Sequence, residues 1–224
     1  MDAAPAGCGA ASKRDEYSVL DQLVATILSQ NTTDTTSWAA FLKLKAAFPK
    51  WEEVMRADVD VVAATIKSAG LSAIKSARIQ SILRALHEQH GACTLEHLRG
   101  MSDEAAKRTL SAFKGCGPKT TSCVLMFAMG RQEFPVDTHV WKLALALGWV
   151  PPKSDRESTY EHLNARVPGP LKHALHVLLV QHGKVWKNAP GPLGTALRAA
   201  KLLDERGAAP ADEQAEDACR PAGP

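Results

Sequence analysis

With 224 residues, 45% apolar and 23% charged, the chain is long enough for one large domain or two small ones, and its composition is that of an ordinary globular protein. No apolar run approaches the roughly 18–20 residues that span a bilayer, and Met1 to Ser12, rich in Ala and Gly, lacks the apolar core of a secretory signal. A net charge of +3 suits a polyanionic partner without pointing to one, and five scattered cysteines with no CxxC pair read as reduced thiols, so a soluble intracellular protein is expected.

From Tyr17 to about Lys187 the apolar residues recur at helical spacing, and β-type alternation is nearly absent. Leu20, Leu23, Val24, Ile27 and Leu28 make one buried stripe. A second helix is expected over Trp38 to Phe48, stopped by Pro49, and two more over Asp58 to Ser68 and Ile74 to His90, parted by Gly70. Ser102 reads as an N-cap, with Asp103 and Glu104 placed where carboxylates suit the positive end of a helix. Two helices then follow around a tight Gly turn. A helix after Asp137 runs to about Leu147, ended by Gly148, Pro151 and Pro152, and two more are expected over 155–166 and 169–182. Past Asn188 the breakers Pro190, Gly191, Pro192 and Gly194 leave room for one short helix at 195–206, and the Ala/Pro/acidic stretch 207–224 is expected to be disordered. The fold class is all-α.

The stretch Phe113-Lys114-Gly115-Cys116-Gly117-Pro118-Lys119-Thr120 is the most informative. Gly115 and Gly117 permit positive φ and close approach of a partner to the backbone, and Pro118 suits the first position of a new helix. Such a hairpin aims backbone N–H groups outward at a helix N-terminus, where they can hold a phosphate without reading sequence. A plain helix–helix turn explains the same glycines equally well. Eighteen residues beyond Lys119 stands Asp137, within Phe134-Pro135-Val136-Asp137-Thr138-His139. Alone, that aspartate reads as a helix N-cap worth about 1 kcal/mol, and Lys119 as a surface contact to phosphate.

Together, LSAFKGCGPKTTSCVL and FPVDTHV resemble the helix-hairpin-helix and Gly/Pro-Asp loop of the endonuclease III-like base-excision DNA glycosylases. LSQNTTD, GLSAIKSARI and the late Gln181-His182-Gly183 extend the likeness over roughly residues 20–184. The resemblance implies an enzyme acting on double-stranded DNA that holds damaged bases or abasic sites, oxidised pyrimidines above all. Lys119 is the implied nucleophile on deoxyribose C1′, giving a Schiff base and β-elimination, and Asp137 the carboxylate that stabilises positive charge on the sugar. The helix N-terminus favours loss of the lysine's proton and Asp137 opposes it, so a coupled titration is expected. The implied DNA contacts are Asn31 as the plug and Leu71 as the wedge that fill the gap left by a flipped nucleotide, with Gly115, Gly117, Thr120 and His139 around them. Gln30 and Thr32 to Thr36 are expected to line the cleft, and Lys75 and Arg78 to meet the DNA backbone.

Many such enzymes hold a [4Fe–4S] cluster on four cysteines just after the His-Gly segment. This chain has Gly183 to Asn188 there and only Cys219 later, so no cofactor is expected. The implied architecture is two helical lobes flanking a DNA cleft: a flexible segment 1–16, a helical barrel over 17–130 ending in the hairpin motif at about 103–128, a second lobe over 131–206 and the tail 207–224. A monomer is expected, with the nucleus the first compartment and plastid or mitochondrion left open. Two other functions fit the residues: a monofunctional glycosylase in which Asp137 activates water, and a non-catalytic DNA-binding hairpin module.

Overall fold

The structure, a computed structural model, describes residues 17–186. The expected flexible segment 1–16, the short helix at 195–206 and the tail 207–224 lie outside the described residues.

Among the described residues all regular structure is helical. Ten α-helices follow one another: α1 Val19–Ser29, α2 Asp34–Ala47, α3 Trp51–Arg56, α4 Val59–Thr65, α5 Ser72–His90, α6 Asp103–Ser111, α7 Pro118–Met129, α8 Thr138–Ala146, α9 Arg156–Arg166 and α10 Gly169–Trp186. Two 3-10 turns, Lys67–Ala69 and Glu96–Gly100, intervene. None of these helices is long and apolar enough to cross a membrane.

Local chemistry sets most boundaries. Ser18 starts α1 with a capping box, its hydroxyl accepting from the Asp21 N–H while the Asp21 carboxylate accepts from the Ser18 N–H. Thr33, Asp58, Ser102, Asp137 and Asp155 cap α2, α4, α6, α8 and α9 by the same acceptor logic. Gly91, Gly130 and Gly148, at φ of 72°, 66° and 67°, close helices in the left-handed region. Helix α3 has no counterpart in the expected elements. Six residues are too few for periodicity to show, and it is held by Trp51 and Val54 sinking into the core and by the Trp51 indole N–H donating to Asp21 at 3.1 Å.

Two apolar clusters organise the chain. The larger draws on α1 to α7, with Leu20, Leu23, Ile27, Phe41, Leu44, Ile79, Leu83, Leu110 and Val124 all essentially sealed from solvent. Helix α1, apolar on nearly every face, lies at its centre against α2 and α7. The smaller gathers Phe134, Val140, Leu143, Val150, Leu163 and Leu179 from the loop before α8 and from α8 to α10. Each such aliphatic side chain contributes roughly 1.5–3 kcal/mol of burial.

A buried carboxylate fastens the two clusters together. Glu133 accepts from the Ser122 hydroxyl of α7 at 2.9 Å and the Tyr160 hydroxyl of α9 at 2.6 Å, and pairs with Lys107 of α6 at 2.6 Å. A charge so enclosed is tolerable only with its oxygens occupied in this way. Nearby, Arg131 donates to the Arg99 and Met101 carbonyls, and Lys172 of α10 to the Gln132 carbonyl.

Candidate active site

The hairpin between α6 and α7 uses its two glycines differently. Gly115 takes φ +91°, and a Cβ there would strike the Arg78 side chain at 2.9 Å. Gly117 is extended, at φ −76°, and its missing side chain faces open space. No side chain caps α7, and Pro118 occupies its start, so the first N–H groups of the helix are left for an outside acceptor.

Lys119 stands in that first turn. The residue is open to solvent, and its amine lies within range of Cys123, Asp137 and Asp34. Its pKa is held above the ordinary 10.5 by Cys123 first, then by the carboxylates of Asp137 and Asp34, against burial that lowers it. The net direction reverses the expected easing of proton loss by the helix end. Cys123, one turn along α7 and close to the same amine, has its own thiol pushed up by burial, so near neutrality the two carboxylates act as the fixed charges. In the free protein Lys119 is an ammonium.

Asp137 caps α8, its Oδ1 accepting from the Val140 N–H at 2.8 Å. The cap occupies one oxygen and fixes the carboxylate, half-buried, with its charge acting on Lys119. Cap and candidate catalytic group are one residue. The residue before the loop's Val136 is also tethered: the Pro135 carbonyl meets His176 Nδ1 of α10 at 2.9 Å, which assigns the ring proton to Nδ1 because a carbonyl only accepts. His176 is 5% exposed and edges against Phe127 and Phe134. Burial drives its pKa from 6.5 down to about 4. Between those values the unfolded chain binds the proton that the fold refuses, so stability is complete above pH 6.5 and lost on acidification toward about 4, on the order of 3 kcal/mol in all. Thermal melting across that range checks this, and His176→Gln is expected to flatten the acid limb; an unchanged limb would reject the assignment.

The other expected contacts divide. Asn31 and Leu71 are both exposed and both hold left-handed backbone, φ 56° and 50°; such residues cost about 1–3 kcal/mol and gather at functional sites. Thr120 is buried, and its hydroxyl accepts from the Gln30 amide at 3.3 Å, so its side chain ties the hairpin to the first loop, while its backbone N–H belongs to the uncapped first turn of α7. Gln30, half-buried, also donates to the Gly115 carbonyl at 3.1 Å and accepts from Arg78, which makes it a strut between the first loop, the hairpin and α5. Thr33 and Thr36 share the α2 cap. Lys75 is corrected. It is 1% exposed, with both its contacts to backbone carbonyls inside the protein, and cannot reach a phosphate.

His139 lies against Gly183 of α10, where a Cβ would come within 2.5 Å of the histidine's own Cβ. This contact accounts for the glycine of Gln181-His182-Gly183. Gly183→Ala is expected to cost about 1–3 kcal/mol by forcing α8 and α10 apart, visible as a lower melting temperature; equal melting would show that the helices give freely. Lys184 of α10 pairs with Asp34 of α2, joining the last helix to the first loop.

Sequence reasoning passed over Cys123 and His176 as site residues, and placed Asp34 only within the stretch Thr32 to Thr36 expected to line the cleft. Cys123 carried a signal, the i, i+4 spacing from Lys119. His176 carried none, since only the folded chain brings it to Pro135. As to a metal, Cys93, Cys116 and Cys123 are each buried apart, and among the described residues no three potential ligands converge.

A family model described as HhH-GPD superfamily base excision DNA repair protein matches residues 24–169. An Arabidopsis thaliana protein provisionally named a DNA glycosylase is 50% identical over 177 residues, 79% of this chain and 60% of that protein. The DNA glycosylase/AP lyase ROS1 of the same plant is 41% identical over 118 residues, 53% of this chain and 8% of that protein. The chain therefore spans under two thirds of these two relatives. Endonuclease III of Sulfolobus acidocaldarius is 28% identical over 168 residues, 74% of this chain and 73% of that protein. Among solved structures, a non-covalent endonuclease III–DNA complex superimposes with TM-score 0.71 at 20% identity, over 84% of this chain and 87% of that one. At that identity the likeness is one of fold.

Proposed function

The chain belongs to the HhH-GPD superfamily of base excision DNA repair proteins, and from that membership we propose that it is a DNA glycosylase with abasic-site lyase activity, removing damaged bases from duplex DNA. The observation that carries this is the placement of Lys119, at the uncapped N-terminus of α7, within range of the charge of the Asp137 carboxylate at the start of α8.

The hairpin N–H groups hold a phosphate, and the target nucleotide swings out of the stack toward Lys119. Asn31 and Leu71 fill the space it leaves. As the bond between base and C1′ lengthens, positive charge grows on the sugar and the Asp137 carboxylate stabilises it. Lys119, once it has given up its proton, adds to C1′; the base departs with the bonding pair and takes up a proton. The ring opens to a Schiff base, which loses the 2′ proton and expels the 3′ phosphate by β-elimination. Residues after Gly183 supply none of the closely spaced thiolates that an iron–sulfur cluster needs, and these steps use only the chain's own side chains.

One observation favours a second reading. Because Lys119 keeps its proton in the free protein, Asp137 activating water, with Lys119 as a fixed cation, is the competing monofunctional route. Borohydride reduction with abasic duplex separates them. A covalent adduct supports the lyase, and base release with no adduct supports the water route. Duplexes each carrying a single lesion then identify the base.

A further inference from the structure

Among the described residues only two non-glycine positions hold positive φ, Asn31 and Leu71. Both are exposed, and both are the side chains given the task of entering the duplex. Strained backbone persists where its surroundings over-determine it, so the question is what holds these two loops.

One side chain reaches both. The Lys75 Nζ, in the first turn of α5, donates to the Leu28 carbonyl at 2.7 Å and to the Ala69 carbonyl at 2.8 Å. Leu28 lies in the last turn of α1, just ahead of Asn31, and Ala69 ends the 3-10 turn just ahead of Leu71. Carbonyls at helix ends lack an intrahelical donor and carry partial negative charge, so a cation between two such ends satisfies both. The lysine is 1% exposed, and burial lowers its pKa. An apolar residue would fill the same volume without that desolvation. What the ammonium adds is the tie. The other strut of the first loop, Gln30, runs to the hairpin and to Arg78 in the second turn of α5, and does not bond to the 3-10 turn ahead of Leu71.

We propose that Lys75 is a positioning residue that yokes the Asn31 loop to the Leu71 loop, so that plug and wedge enter the duplex at a fixed separation. It touches neither DNA nor reacting atoms. The inference rests on the proposed action on duplex DNA.

The test uses the full chain and a duplex carrying a tetrahydrofuran abasic analogue with a fluorescent purine opposite, which reports insertion without chemistry. Borohydride trapping on single-stranded abasic DNA, which needs no insertion, runs beside it. Lys75→Met is expected to lose duplex affinity and the fluorescence rise on the order of tenfold to a hundredfold, several times more than it loses single-strand trapping. Adding Leu71→Ala to it should cost little more. Equal losses on both substrates, or wild-type fluorescence, overturn the proposal. Lys75→Gln, which keeps a neutral donor, is used if Lys75→Met melts below assay temperature; if both melt, the lysine holds the fold and not the loops, and the proposal falls. Should the wild-type protein give no fluorescence rise, the proposed action on duplex DNA fails; a rise without trapping removes only the lyase step, and the yoke then stands if Lys75→Met loses the duplex fluorescence rise while keeping its melting temperature, and falls if the rise is kept.

Discussion

Lys119→Gln is expected to abolish the borohydride-trapped adduct with abasic DNA and the strand cleavage that follows it, a loss on the order of a thousandfold or more, while duplex affinity stays within a few-fold. The physical basis is narrow. Glutamine keeps most of the reach of lysine and fits an open position in the first turn of α7, but its amide nitrogen has no basic lone pair to offer C1′. The hairpin N–H groups, which belong to the backbone, remain. An adduct that survives the substitution would move the nucleophile to another amine. Loss of the adduct with base release intact would establish the water route and leave Lys119 as a cation only.

Asp137→Asn separates the two half-reactions. Asparagine caps a helix as well as aspartate does, so α8 keeps its start and only the charge is lost. Base excision is expected to fall by about 10²–10⁴, because the cationic sugar loses its counter-charge. Trapping on a preformed abasic site is expected to survive and to move to lower pH. The sign follows from the site. Asp137 is among the groups that raise the Lys119 pKa, and removing its charge lets the amine lose its proton sooner. In the wild-type protein the neutral fraction climbs about tenfold per pH unit below the pKa, so trapping rates should rise throughout the neutral and mildly alkaline range. A pH profile that does not move on Asp137→Asn would show that the carboxylate does not act on the lysine. Equal loss of excision and trapping would point to damage in α8 rather than lost charge.

Much of this was legible in the residues. The stripe Leu20 to Leu28, the Ser102 cap and the Gly-x-Gly-Pro turn specify helices by local rules, and the folded chain obeys them. Order and spacing also marked Lys119 and Asp137. What stayed hidden was direction. Thr120 and Lys75 each follow exposed residues, Gly117 to Lys119 and Ala73 to Ile74, and both turn inward because their hydrogen-bond partners, Gln30 and the Leu28 and Ala69 carbonyls, arrive from elsewhere in the chain. A lysine in a polar run reads as solvated until the carbonyls that claim it are placed. The proton balance of Lys119 was only partly visible, being set first by Cys123 one turn along α7, then by Asp137, and last by Asp34, which comes to it from α2. His139 belongs with these, its neighbour Gly183 being forty-four residues away.

The bonds that converge on Glu133 come from α6, α7 and α9, and so from both apolar clusters. A hinge there would have to break an ion pair to a buried carboxylate and two hydroxyl contacts at once, more than a surface loop asks. On the proposed function the gripping surfaces are therefore a rigid die. The work of fitting falls on the nucleic acid, which must bend and open to match them, at a cost set by its own stiffness. A base pair already weakened by damage yields most cheaply. Discrimination then begins in the mechanics of the duplex, before any atom of the flipped base is touched.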